Sequence, residues 1–391
     1  MSETVHIPQL RFPEFSGDWN RVKIQKLLDD KSIISHLDGN HGALYPRSEE
    51  FTKEGVPYVT ANDFINGKVD LKKCKCLPVE RASQFKKGIA HNGDVLFAHN
   101  ATVGPVALLE TDLEYVVLST TATYYRCDNN TLINKYLKVY LTSNDFVRQY
   151  SRVMSQSTRN QVPITTQRLF YINLPDKPEQ QKIAAFLTAV DSKIEQLSKK
   201  QELLGEYKKG LMQQIFSQAI RFRAGDTPGQ PLLPNGNSPS GSDFPNWEEK
   251  RLGDLCEITT GKLDANAMVE GGQYRFYTCA KEYYKIDDYA FDTDALIVSG
   301  NGANVGYIHH YQGKFNAYQR TYVLDSFTDN IIFVKFVLDE YLHKRIMKEK
   351  NEGNTPYIVM GTLTDMKINL PSFSEQTKIA IFLSSIDSKI E

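Results

Sequence analysis

The sequence predicts an α+β protein in which two globular, α/β-mixed domains are separated by long helices that form an antiparallel coiled coil. Three observations lead there. A 24-residue segment occurs twice, 196 residues apart and without a gap. An apolar stripe with alternating spacings of four and three runs through both copies. Upstream of each copy, short β-branched and aromatic runs broken by Gly and Asn are mixed with helical stretches, without the regular βαβ alternation of a parallel sheet.

The repeat is the firmest of the three. Residues 172–195 read INLPDKPEQQKIAAFLTAVDSKIE and residues 368–391 read INLPSFSEQTKIAIFLSSIDSKIE, identical at sixteen of 24 positions. Weaker echoes lie upstream. Phe12-Pro13 before Trp19 matches Phe244-Pro245 before Trp247, and the run 58–63 matches 277–282. The chain therefore reads as two tandem units.

The helix follows from periodicity. Ile183, Leu187, Val190, Ile194, Leu197, Leu204, Leu211 and Ile215 fall on a heptad seam, and Ile379, Leu383, Ile386 and Ile390 repeat it. A helix over 179–216 would be about 57 Å long at 1.5 Å per residue. Such a stripe needs a partner helix, and the simplest partner is the other copy, paired antiparallel. Pro175 and Pro178 mark the start of the first helix, and Ser374 is the expected N-cap of the second. The predicted organisation is a first globular domain over 1–175, a helix over 176–221, a Gly/Pro/Ser/Asn-rich linker over 222–246, a second globular domain over 247–371, and a second helix over 372–391 that looks cut short. Expected strands include 56–60, 94–98, 115–125, 295–299 and 321–325. Expected helices include 133–154 and 331–350.

Composition narrows the function classes. The 391 residues are 41% hydrophobic and 24% charged, ordinary for a soluble protein of two or three domains. No run approaches the roughly 18 apolar residues of a membrane span, and the N-terminus has no secretory apolar core, so a cytoplasmic protein is expected. A net charge of -1 selects no partner by itself; nucleic-acid binding would require local basic faces. Five cysteines without a CxxC pair read as free thiols, and no metal site is expected. P-loop, GxSxG and HExxH strings are absent. Asp176 with Glu206-x-Lys208 mimics a nuclease pattern, but roughly 45 Å of helix would separate the two carboxylates, so they cannot share a metal ion. His309-His310 reads as a surface-loop pair, and no catalytic residue is assigned.

The doubled pattern Leu-Pro-x-x-x-Glu-Gln-x-Lys-Ile-Ala-x-Phe-Leu-x-x-x-Asp-Ser-Lys-Ile-Glu resembles the specificity subunit of Type I restriction–modification enzymes. The opening Leu-Arg-Phe-Pro-Glu-Phe-x-Gly-x-Trp of residues 10–19 is similar to that family as well. The resemblance covers nearly the whole chain. It implies two target-recognition domains, each reading half of a bipartite site in double-stranded DNA, with paired helices setting the spacing. It also implies two docked modification subunits that methylate adenine, and restriction/motor subunits that complete the complex. S-adenosylmethionine, ATP and Mg belong on those partners, no cofactor is expected on this chain, and the subunit itself is non-catalytic.

Base edges are read by polar side chains on loops. The candidate DNA-binding residues in the first domain are Thr60, Asn62, His99, Asn100, Thr102, Ser119, Thr120, Thr121, Ser157, Thr158, Arg159, Asn160 and Gln161. In the second they are Lys281, Asn301, Asn304, Tyr318, Gln319, Arg320, Asn354 and Thr355. Two other readings stay open at this point: a stand-alone DNA-cleaving enzyme, and a coiled-coil interaction protein that never touches DNA.

Overall fold

The computed structural model describes residues 8–39, 41–156, 159–222, 244–349 and 356–390. The chain divides into two compact units, Met1–Glu195 and Gln196–Glu391. The division falls inside the long helix, whose first half packs with the first unit and whose second half packs with the second. Most of the expected linker, residues 223–243, lies outside the described residues.

Unit 1 contains β1 (Asn20–Lys23), β2 (Ile33–Asp38), β3 (Val56–Val59), β4 (Val95–Asn100), β5 (Thr102–Leu108), β6 (Val116–Leu118) and β7 (Ala122–Cys127). These are followed by α1 (Asn134–Leu141), α2 (Asn144–Met154), β8 (Tyr171–Leu174) and α3 (Lys177–Phe216). The main sheet runs β2-β7-β4-β5 and is extended by two short strands; a smaller sheet contains β3 parallel to β6.

Side-chain alternation along β4 sends Phe97 to a core under α1 and α2 with Tyr125, Tyr136 and Phe146, and sends Leu96 to a second core with Ala107, Leu118 and Tyr124. Each fully buried aromatic of this kind is worth about 1.5–3 kcal/mol. The strand expected over 115–125 is broken at Ser119–Thr121. There Ala122 N–H donates to Ser119 O, and the Ser119 and Thr121 hydroxyls meet at 2.6 Å. This corner hands the chain from one sheet to the other. The helix expected over 133–154 breaks at Thr142–Ser143, because Ser143 Oγ accepts from Phe146 N–H and caps a new helix.

Unit 2 repeats the plan with β9 (Glu248–Arg251), β10 (Glu257–Thr260), β11 (Tyr274–Tyr277), β12 (Tyr284–Ile286), β13 (Phe291–Ser299), β14 (Ile308–Ala317) and β15 (Thr321–Asp325). Next come α4 (Ile331–Glu349), β16 (Lys367–Leu370) and α5 (Phe373–Ile390). A single sheet runs β10-β15-β13-β14-β11-β12. Here β14 is one strand of ten residues, where unit 1 has β5 and β6 divided between two sheets. His309 and His310 lie on β14, paired with Ile297 and Leu296, rather than on the expected loop. Strand alternation turns them to opposite faces.

Both units close in the same way. β1 pairs antiparallel with β8 (Asn20 opposite Leu174), and β9 with β16 (Glu248 opposite Leu370), so each unit's first and last strands meet just before its repeated helix. The Glu-Gln of the repeat then ties each helix down. Glu179 is buried and takes Arg11 Nε and Nη2, both at 2.7 Å, with Trp19 Nε1 at 3.1 Å. Buried Glu375 takes Arg221 Nε at 3.1 Å and Nη2 at 2.7 Å, with Trp247 Nε1 at 3.3 Å. Gln180 Oε1 accepts Ile133 N–H, and Gln376 Oε1 accepts Asn330 N–H, both at 2.9 Å. The cap of the second helix lies two residues earlier than expected: Ser372, not Ser374, offers its hydroxyl oxygen to Glu375 N–H.

Within unit 2, α5 runs antiparallel to the distal part of α3. Gln201 Nε2 donates to Ile390 O at 3.0 Å, and Lys208 Nζ pairs with Asp387 at 2.5 Å. Of the predicted seam, Ile215, Ile379, Leu383 and Ile386 are buried, and Leu204, Leu211 and Ile390 are half-buried. Ile183 and Leu187 are half-buried too, while Val190, Ile194 and Leu197 are exposed. The described part of α5 thus pairs antiparallel with the distal part of the predicted seam, and the second helix is as short as the sequence suggests. Ile390 stands opposite Gln201, so the described part of α5 meets α3 from that residue onward, while Ile183 packs against the core of unit 1.

Candidate nucleic-acid interface

The sheet corner in unit 1 is built from four backbone segments. A turn at Thr60–Asp63 is held by Thr60 N and Oγ1, which both donate to Asp63 Oδ2 at 2.8 Å. Ala61 N–H donates to Thr121 Oγ1 at 2.9 Å, and His99 N–H to Thr121 O at 3.0 Å. The β4–β5 turn places Ala101 at φ 63°; its N–H donates to Asn160 O, and Asn160 Nδ2 donates to Ala101 O. Val162 N–H closes on His99 O at 2.8 Å, so Asn100 faces Gln161. The predicted residues Thr60, Asn62, His99, Asn100, Thr102, Ser119, Thr120, Thr121, Arg159, Asn160 and Gln161 are thus gathered at one end of the sheets.

They do not play one role. Asn62, Thr102, Arg159 and Asn160 are exposed. Ser119 is buried, and its hydroxyl and that of Thr121 are spent on the corner itself. His99 is buried with no well-formed hydrogen bond to either ring nitrogen among the described residues, and burial lowers its pKa. Ser157 and Thr158 lie outside the described residues.

Unit 2 builds the same corner. Gly300 N–H donates to Arg320 O as His99 does to Thr121, and Ile358 N–H donates to Gly300 O as Val162 does to His99. Asn301 faces Tyr357 as Asn100 faces Gln161. Asn304 Nδ2 anchors the glycine-rich turn on Cys279 O at 3.1 Å. Lys281, Gln319 and Arg320 are exposed, with Asn301, Asn304 and Tyr318 half-buried beside them. Asn354 and Thr355 lie outside the described residues.

A glycine underlies each corner. A Cβ on Gly39 would stand 2.2 Å from the Leu118 carbonyl oxygen, and one on Gly261 would stand 2.0 Å from that of Ala317. Only glycine lets β2 and β10 approach the bend so closely.

Comparison finds one specificity-domain match over most of each unit. A family model described as the Type I restriction modification DNA specificity domain matches residues 34–204 and again 245–391. The chain belongs to that family. The EcoDI specificity subunit of Escherichia coli is 44% identical over 146 residues, a stretch that takes in 37% of this chain and 32% of that one. The chain thus spans about a third of the length of that relative. The MjaVIII specificity subunit of Methanocaldococcus jannaschii is 24% identical over 98% of this chain and 88% of its own length. In fold, the Type I restriction-modification S subunit of M. genitalium matches with a TM-score of 0.64 at 16% identity, covering 98% of this chain and 93% of that one.

The family's second domain here carries a feature that sequence reading missed. Arg275 lies between the rings of Tyr283 and Tyr311, at 4.4 and 4.2 Å, and Nη1 donates to Tyr277 Oη. His309 packs on Tyr277 and Tyr307, each at 4.9 Å, and hydrogen-bonds Ala280 O; burial lowers its pKa. Lys281 Nζ sits 6.0 Å from the Tyr307 ring. Cationic groups stacked on tyrosines suit backbone and base contact alike. Residues scattered over 275–311 carry no motif, so the only signal was the density of Tyr. Among the described residues, no cluster of three or more His, Cys, Asp or Glu side chains could hold a metal, and no helix is long and apolar enough to cross a membrane.

Proposed function

We propose that this chain reads a bipartite site in double-stranded DNA, one half with each unit, as the non-catalytic specificity subunit of a cytoplasmic Type I restriction–modification complex. The observation that carries this reading is the doubled corner. Two units of one family place polar loops at matching strand ends, on the same backbone ties, yet with different side chains: His99 against Gly300, Thr121 against Arg320, Gln161 against Tyr357. A shared frame with unlike readers is what two unlike half-sites require. The repeated helices, held alike through Glu179 and Glu375, would present like surfaces to two adenine-methyltransferase subunits. S-adenosylmethionine would sit on those subunits, and ATP with Mg on restriction/motor subunits.

The test is a map of methylated adenines in cells that carry the modification subunits, with and without this chain. The reading expects methylation at one bipartite motif only when the chain is present. An unchanged map would overturn it.

A further inference from the structure

The strand before each repeated helix meets a different neighbour in the two units. In unit 1 the outer edge of β8 is closed. Gln149 of α2 lays its carboxamide along Tyr171: Nε2 donates to Tyr171 O at 3.0 Å, and Oε1 accepts Tyr171 N–H at 2.8 Å. In unit 2 the repeat step of 196 residues carries Tyr171 to Lys367 and Gln149 to Arg345. Here α4 runs unbroken over Ile331–Glu349, where unit 1 breaks between α1 and α2. Arg345 spends its guanidinium on Asp365 O at 3.2 Å and Gly361 O at 3.5 Å. A guanidinium also has no acceptor to offer a backbone N–H.

The edge of β16 is therefore open. Leu252 N–H donates to Met366 O, and Arg251 stands opposite Lys367. The alternation of an antiparallel pair then points the N–H and C=O of Lys367 away from β9. On that side neither has a hydrogen-bond partner among the described residues. Lys367 lines an open cavity of about 710 Å³, the size of a small-ligand site. Phe216, Trp247, Val337 and Tyr341 give it an apolar and aromatic wall, and exposed Lys344 and Lys348, one turn apart on α4, also line it. The acid in the lining is already engaged: Glu349 takes Arg345 Nε at 2.9 Å and Thr362 Oγ1 at 2.7 Å. Lys344 pairs with Glu340, while Lys348 has no ion-pair partner among the described residues.

We propose that this cavity binds a nucleoside phosphate whose base carries an amine beside a ring nitrogen, as adenine and cytosine do. The ring nitrogen accepts Lys367 N–H and the amine donates to Lys367 O, as the Gln149 carboxamide does at Tyr171. The base lies against Tyr341 and Trp247, and the phosphate reaches Lys348. None of these groups belongs to the strand-end loops, so the site is separate from the one assigned to DNA reading.

The test is calorimetric titration of ATP and CTP into the full chain. Saturable binding at one site per chain is expected. Lys348→Glu should weaken it about tenfold or more, the effect of one lost charge-assisted contact. Its melting temperature should not change, because the side chain is exposed. An ATP analogue dimethylated on the base amine should bind the parent chain less tightly by a similar factor, since the Lys367 carbonyl is then left unpaired. Displacement of ATP by a short single-stranded oligonucleotide would assign the site to a nucleotide within a strand, and failure to displace it would assign the site to a free nucleotide; either supports the proposal. No saturable binding of ATP or CTP, or binding that Lys348→Glu or the dimethylation leaves unchanged, would overturn it.

Discussion

Arg221 reaches back from beyond the end of α3 to grip the buried carboxylate of Glu375 with two of its nitrogens, as Arg11 grips Glu179 from the chain's opening segment. The pairs are related by the repeat in space but not by a constant step in sequence: 196 residues separate the glutamates and 210 the arginines. Each Arg is mostly buried and each Glu almost wholly so. Removing one partner strands the other charge away from water. Arg221→Ala should therefore destabilise unit 2 by about 3–5 kcal/mol, and Arg11→Ala should destabilise unit 1. Urea unfolding followed at Trp247 and Trp19 measures this, since each indole bonds the same carboxylate.

The glycines under the corners make a second prediction. Gly39→Ala and Gly261→Ala each force a methyl group onto a backbone carbonyl that cannot step aside. Each should cost about 1–3 kcal/mol, as overpacking does. Each should also impair reading by its own unit, because the bend it supports carries Ser119–Thr121 or Tyr318–Arg320. Thermal melts and half-site binding by the single variants check this. Normal behaviour at either position would show that the close approach is relaxed in solution.

His36 gives a pH signature. It stacks on Tyr125 with rings 4.1 Å apart and bonds Gln167, and burial pushes its pKa down to about 3. The unfolded chain binds the proton near 6.5 and the folded chain does not, so the neutral group's contribution is whole above pH 6.5. It is lost as the pH falls toward 3. Over that window stability should drop by up to about 1.4 kcal/mol per pH unit from this group. Comparing denaturation of the parent and His36→Phe between pH 7 and pH 4 tests it. The variant should show a shallower decline, and parallel curves would contradict the assignment.

The fold was legible where one physical rule acted alone. The heptad spacing placed α3 and α5, and β-branched runs placed β3, β13 and β15. Where contacts distant in sequence decide, the reading fell short. Ser119 and Thr121 look like ordinary strand residues until their hydroxyls meet and split the run into β6 and β7. The Arg275 sandwich needs Tyr283 and Tyr311, brought to it by the pairing of β11 with β12 on one side and with β14 on the other. The candidate loops were found as a group because polar residues at strand ends share a location. Their individual roles were not, since Ser119 and Asn62 look alike in sequence, yet one is buried in the bend and the other is exposed.

Salt dependence separates the basic residues from the polar ones. Lys281→Ala and Arg320→Ala should each lower the slope of log affinity against log salt by about one if that side chain meets a phosphate. Asn62→Ala should leave the slope unchanged while relaxing the base preference of the first half-site. Equal slopes for all three variants would place Lys281 and Arg320 off the DNA.

The most direct measurement is selection from a random duplex pool by the assembled complex, comparing the parent chain with a Gln319→Ala, Arg320→Ala double variant. If each unit reads its own half-site, the parent selects two separated blocks of bases, and the variant loses definition in one block while the other and the spacing stay intact. Degradation of both blocks together, or of neither, would contradict the account.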